Sequence, residues 1–337
     1  MPLFFLLTCK NASSDRQIPL SYQVLEGETM GTYYRFTYYD EQKRDFQAEL
    51  DQLLKEVNQE VSTYIKSSTI SRFNQAETEL VLGLDETHFI TNLEVAKSVY
   101  GKTNGAFDPT IMPLVNYWGF GYSEKKRVST VDSLVVDSLM NFVGLDKVNY
   151  ERTPQVKLQK VRPGVQLDFS GCAKGYGVDA IGFFLEAKGI HNYLVDIGGE
   201  IRARGENPKG NIWNIGINVP REGAAFDEIQ TAAPVKNRSV ATSGNYRNYY
   251  EVEGTKYSHT ISPYHGFPER NTLLSASVFA ENCVMADAYA TAFMVLGIEK
   301  AFPLAQQLPD IEAYFITGNP DGTMSVSYTD GLKSIFD

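Results

Sequence analysis

The stretch Asp168-Phe169-Ser170-Gly171-Cys172-Ala173-Lys174-Gly175-Tyr176-Gly177-Val178-Asp179 sits between two segments of different period. The alternating run Val165-Gln166-Leu167 before it reads as a strand, and the amphipathic run from Val178 to Glu186 after it reads as a helix, with the glycines marking a tight loop between them. A turn of this kind points free backbone N–H groups and the positive end of a helix dipole at whatever lies above it. Phosphate is the usual guest. Glycines that only let a helix pack closely on a sheet would leave the same trace. The spacing fits neither the P-loop pattern nor the dinucleotide fingerprint, so the loop alone implies an anion and no particular ligand.

Outward from the loop, the first half of the chain carries helical periodicity and the second half strand periodicity. Tyr22 to Gly27 and Gly31 to Tyr39 read as strands rich in β-branched and aromatic residues. Helices are expected over 43–61, where Phe46, Leu50, Leu53, Leu54 and Val57 share a face, over 87–100 and over 130–141. Short strands follow at 147–150 and 156–158. Beyond the central helix, strands are expected at 193–204 interrupted by Gly198-Gly199, and at 213–219, 239–242, 249–253 and 273–279. Lys256 to Pro263 also alternates. Helices at 283–296 and 299–307 and strands at 313–317 and 323–328 close the chain. This segregation argues for the α+β class, with mixed or antiparallel sheets and packed helices, in one domain over 21–337.

At 337 residues and 43% hydrophobic, the chain has ample material for a core. No apolar run is long enough for a transmembrane helix. A net charge of -10 without a basic stripe excludes a nucleic-acid footprint, and any anionic ligand would need local positive charge or a metal. The three cysteines, Cys9, Cys172 and Cys283, show neither zinc-ligand spacing nor a disulfide framework. Cys172 is either a nucleophile or a small residue filling a tight corner. Cys9 follows the apolar Leu3 to Thr8 and precedes a polar tether, so residues 1–20 resemble a bacterial lipoprotein signal with Cys9 as the acylated residue.

Candidate chemistry lies in four places. Asp287 and Thr291, at i and i+4 of the late helix, put a carboxylate and a hydroxyl on one face, a half-site for magnesium; a buried Asp satisfied by Thr or by a neighbouring helix start is the alternative. His259 ends an alternating run and is either structural or a proton carrier facing a phosphate. Tyr64 and Phe107 are aromatics in loop-like contexts, able to stack on a flat heterocycle or to plug the core. Asp108 precedes Pro109 and so cannot be mid-helix.

Taken in order, Glu28-Thr29-Met30-Gly31-Thr32, Ser62-Thr63-Tyr64, Gly105 to Thr110, Asp168 to Tyr176, Val195 to Glu200, His259 to Pro263 and Met285 to Thr291 resemble the ApbE-like family of FAD:protein FMN transferases, from about Tyr22 to Leu296. The resemblance implies an ApbE-type α+β fold with FAD in a cleft. It implies Mg2+ held by the Ala173 carbonyl, Asp287 and Thr291, and FAD contacts at Met30, Tyr64, Ala106, Phe107, Asp108, Ser170, Tyr176 and Ile261, with Lys174 near the phosphates or the acceptor. The implied reaction is phosphoryl transfer: a Thr or Ser hydroxyl of an acceptor protein attacks the FMN-side phosphorus of FAD and AMP leaves. Positioning and charge neutralisation carry such a reaction. His259 and Asp287 are the expected catalytic residues. The same residues would serve a Mg2+-dependent FAD pyrophosphatase or a non-enzymatic FAD-binding lipoprotein. The implied acceptor is a flavoprotein, such as a subunit of a membrane redox complex, and the implied location is the outer, periplasmic face of the bacterial inner membrane, through a lipid anchor.

Overall fold

The computed structural model describes residues 22–122, 131–152, 155–221, 223, 225, 228–245, 249–252 and 255–337. Cys9 and its flanking segment lie outside them, as does Thr130. Strands β1 (Tyr22–Thr29) and β2 (Thr32–Tyr39) form an antiparallel hairpin. Its two turn residues, Met30 and Gly31, both have positive φ, 51° and 76°, which suits the twist of a two-residue hairpin. The helical half follows: α1 (Gln47–Val61), α2 (Thr69–Gln75), β3 (Glu79–Leu82), α3 (Thr87–Lys102), α4 (Met112–Tyr117), α5 (Ser133–Met140), β4 (Val148–Glu151) and β5 (Val156–Lys160). Helix α6 (Ala173–Ala187) leads into β6 (Tyr193–Ile197), β7 (Glu200–Arg204), β8 (Trp213–Asn218), β9 (Ile229–Val235), β10 (Arg238–Gly244), β11 (Tyr249–Val252), β12 (Thr255–Ser258) and β13 (Leu273–Ala280). The chain closes with α7 (Cys283–Leu296), α8 (Ile298–Gln307), β14 (Glu312–Gly318), β15 (Met324–Tyr328) and α9 (Lys333–Phe336).

An eight-stranded sheet in the order β1-β2-β6-β7-β10-β13-β14-β15, antiparallel throughout, joins the two ends of the described chain. Alternation along its strands feeds two cores. Val195 and Ile197 of β6, Ala241 of β10, Val278 of β13 and Phe315 of β14 turn to the face covered by α6 and α7, with α1 and α3 packed outside them. Val240, Phe279, Tyr314 and Ile316 turn to the other face, where the β8/β9 hairpin and the C-terminal segment cover them.

The expected α+β arrangement is present, and two of the local differences from it bear on the central stretch. Val165 to Leu167 forms no strand: the backbone N–H and C=O of Leu167 bond the Asn74 side chain at 2.7 and 2.8 Å, so a side-chain amide takes the place of a neighbouring strand. The central helix begins at Ala173, inside the stretch that reads as a loop.

Candidate active site

Asp168 builds the turn into α6. Its two carboxylate oxygens accept the N–H and the hydroxyl of Ser170, each at 2.8 Å, while its own N–H is fixed by the Pro109 carbonyl at 2.7 Å. The chain reverses at Gly171, where a Cβ would stand 2.9 Å from the Phe107 ring and 3.1 Å from the Thr291 side chain, so a larger residue would force two walls of the site apart. Cys172 is fully buried, its Sγ directed at Asn92 Oδ1 at 3.5 Å, and burial pushes its thiol pKa up. It fills the corner and is inert as a nucleophile.

Helices α6 and α7 cap each other. The Gly175 N–H in the first turn of α6 donates to Asp287 Oδ2 at 2.9 Å. In return, Asp179 of α6 accepts the N–H groups of Cys283 and Val284 in the first turn of α7, both at 2.9 Å. Arg202 Nη1, 3.0 Å from Asp179 Oδ1, balances that buried carboxylate. Gly175 is required by the closeness of the helices, since a Cβ there would lie 2.4 Å from the Cys283 carbonyl oxygen. Asp287 is thus a carboxylate satisfied by a neighbouring helix start, but through one oxygen: among the described residues, Oδ1 has no hydrogen-bond partner. One turn on, the Thr291 hydroxyl lies 3.5 Å from the Gly171 carbonyl and 3.4 Å from Ser243 Oγ.

Asp287 and Thr291 form one wall of a cleft of about 1190 Å3 that opens where the sheet splits. Strand β10 pairs with β7 only over Arg238 to Val240, then runs on to Gly244 bonded to β13 alone. Thr242 to Gly244 and the β6/β7 turn at Gly198-Gly199 border the gap. Of the residues singled out in the sequence, Tyr64, Ala106, Phe107, Asp108, Ser170, Lys174, His259, Ile261, Asp287 and Thr291 line this one cleft. Tyr64 is 68% exposed at its edge, a ring free to stack on a ligand. His259 stands edge-on to Phe120 with ring centroids 6.4 Å apart. Burial lifts the Asp108 carboxyl to about 6 although Thr110 donates to it twice, at 2.6 and 2.8 Å.

Met30, Ala173 and Tyr176 are not among the lining residues. The Tyr176 hydroxyl is hydrogen-bonded to His88 Nδ1 at 2.7 Å, and the Met30 side chain packs against Gly177. The cleft also contains Glu200, a residue with no role in the reading of the sequence. It is 4% exposed and its Oε1 is 2.6 Å from Lys174 Nζ. Burial works to lower the Lys174 pKa, but the Asp287 and Glu200 carboxylates outweigh it and keep the ammonium charged. The signal for Glu200 was its place directly after Gly198-Gly199, both with positive φ, where a tight turn aims the next side chain inward.

Among the described residues no group of three or more His, Cys, Asp or Glu could cage a metal. What the cleft offers is hard oxygen: the open Oδ1 of Asp287, the Thr291 hydroxyl and the Gly171 carbonyl. That set fits magnesium, which takes one or two carboxylates and leaves its other positions to water and phosphate.

The family model described as the ApbE family matches residues 30–315, from the first hairpin turn into β14. The chain belongs to the ApbE family. A FAD:protein FMN transferase of Vibrio cholerae is 38% identical over 293 residues, 85% of each chain, and one of Escherichia coli is 34% identical over 306 residues, covering 88% of this chain and 85% of that one. The ApbE flavin transferase structure from Vibrio cholerae superposes with a TM-score of 0.85 at 34% identity over 94% of this chain and 100% of the other. The apo structure of Pseudomonas stutzeri flavinyl transferase ApbE gives 0.82 at 29% identity over 94% and 97%. The ApbE match thus takes in every element that borders the cleft.

Proposed function

We propose that this chain is a FAD:protein FMN transferase, moving the FMN half of FAD onto a Thr or Ser hydroxyl of an acceptor protein with release of AMP. The observation that carries this reading is the convergence of a stacking aromatic, a helix start and an open hard-oxygen pair in one cleft of a chain that matches such transferases nearly end to end. Mg2+ held by Asp287 Oδ1, Thr291 and a carbonyl of the turn into α6, that of Ala173 or Gly171, would neutralise charge on the diphosphate.

The chain's own groups do the rest. Tyr64 and Phe107 receive the flat ring system, and the Lys174 ammonium faces the diphosphate. His259 takes the proton of the attacking hydroxyl as its oxygen bonds to the FMN-side phosphorus and the bond from that phosphorus to AMP breaks. Met30 and Tyr176, outside the cleft lining, would contact FAD only through its periphery. The Leu3 to Cys9 pattern supports a lipid anchor that places the cleft on the periplasmic face, with a membrane redox subunit as the acceptor. Incubation with FAD, with and without Mg2+, followed by separation of nucleotides, tests the chemistry: AMP release that requires both Mg2+ and an acceptor supports transfer. Equal AMP and free FMN without acceptor identifies a pyrophosphatase, and intact FAD a binding protein.

A further inference from the structure

The ion pairs of this protein divide by position. Arg202 with Asp179 is sealed between helix and sheet, each side chain 3% exposed or less, and serves the α6–α7 junction. Lys174 with Glu200 is different, because both residues line the cleft. Glu200 opens β7 directly after the Gly198-Gly199 turn, which brings its carboxylate beneath the start of α6, and Lys174 is the second residue of that helix. The adjacent Gly175 N–H is bonded to Asp287, so a second buried carboxylate stands close enough to act on the ammonium electrostatically, while the ion pair itself is made with Glu200 alone. Glu200 Oε2 is buried and has no hydrogen-bond partner. Most buried polar atoms are hydrogen-bonded, so a carboxylate oxygen left without a partner at a ligand cleft calls for a role other than scaffolding.

We propose that Glu200 is a positioning residue: through its ion pair it holds the Lys174 ammonium away from Asp287 Oδ1 and aimed at the place the FAD diphosphate takes. Without Glu200, the nearest carboxylate for the ammonium is Asp287, and the lysine would fill the position meant for the metal. With Glu200 in place, Asp287 stays open to a cation and Lys174 stays available to phosphate oxygens, where a charge-assisted bond is strong. The inference rests on the transferase reading for where the diphosphate lies.

A double-mutant cycle on FAD affinity tests it, read by flavin fluorescence in EDTA and again with Mg2+, using the whole chain. In EDTA, Lys174→Met is expected to weaken FAD binding about tenfold, Glu200→Gln about threefold, and the double variant no more than Lys174→Met alone, because Glu200 acts through Lys174. With Mg2+, Glu200→Gln is expected to raise the Mg2+ concentration needed for half-maximal effect severalfold, and Lys174→Met to remove that penalty. Glu200→Asp, which keeps the charge, should recover part of the loss, and a thermal melt of each variant separates misfolding from repositioning. Additive effects of the two substitutions, or Glu200→Gln binding FAD and Mg2+ as the unaltered protein does, would overturn the proposal. Wild-type protein that binds FAD yet modifies no acceptor would contradict the transferase reading and leave the cycle intact.

Discussion

The two oxygens of Asp287 face different partners: Oδ2 accepts the Gly175 N–H at 2.9 Å, and Oδ1 is open to the cleft. Asp287→Asn can keep the first contact through its amide oxygen while presenting an NH2 group to any cation. The expected outcome is a fold of near-normal stability whose metal-dependent AMP release falls at least about 100-fold, read by nucleotide chromatography beside a thermal melt. Asp287→Ala should lose that turnover and, in addition, about 1 kcal/mol of stability from the uncapped helix start. At His259, which lines the cleft beside Phe120, replacement by Ala should lower kcat by about 100-fold or more and leave the FAD dissociation constant within about threefold. Loss of FAD binding instead would make His259 a ligand contact with no part in proton transfer.

At the scale of elements, the junction of α6 and α7 holds the site in shape, and its caps come from across the interface. Asp179→Ala would uncap α7 and take from the buried Arg202 the closer of its two carboxylates, leaving Glu186, for an expected loss of about 3 kcal/mol in urea unfolding. A second junction gives a pH signature. Glu60 of α1 accepts the Phe89 N–H in the first turn of α3 at 2.8 Å, and burial lifts its carboxyl to about 7. A carboxyl whose folded pKa lies above the unfolded value of about 4.3 contributes stability that is complete below about 4.3 and is lost as pH rises through about 7. Glu60→Gln should remove that dependence and be the more stable form at pH 8 by about 1–2 kcal/mol, discounted for partial exposure, with the gap closing towards pH 4.

Much of this layer was legible in the chain. The apolar periods of α1, α3, α7 and α8 and the alternation of β6, β7 and β13 announce themselves, as does the i, i+4 placement of Asp287 and Thr291. The start of α6 was not: Gly175 and Gly177 read as loop because glycine disfavours helices, yet they are there because Cys283 and Met30 press against them. Nor could the sequence show that Asn74, 93 residues away, replaces a strand beside Leu167. Strands β3 and β9 and helix α2 carry too short or too irregular a pattern to stand out. Glu200 escaped for a related reason, since its partner lies on another element.

On the scale of the whole molecule, one sheet collects strands from both ends of the described chain and parts between β7 and β10, which makes room for a ligand at its middle. The helices that line one side of that gap carry charge inward although the protein is acidic overall, and a single ammonium with a metal would suit a diphosphate there. If residues 1–20 direct lipidation, Cys9→Ser should move the protein from the membrane to the soluble fraction of cells without altering its turnover.

The most direct test of the account is the intact mass of an acceptor protein after incubation with this chain, FAD and Mg2+, followed by fragmentation to locate the change. The expected result is a gain equal to FMN on one Thr or Ser, matched by released AMP and absent with Asp287→Asn. An acceptor of unchanged mass, beside FAD converted to free FMN and AMP or left whole, would contradict it.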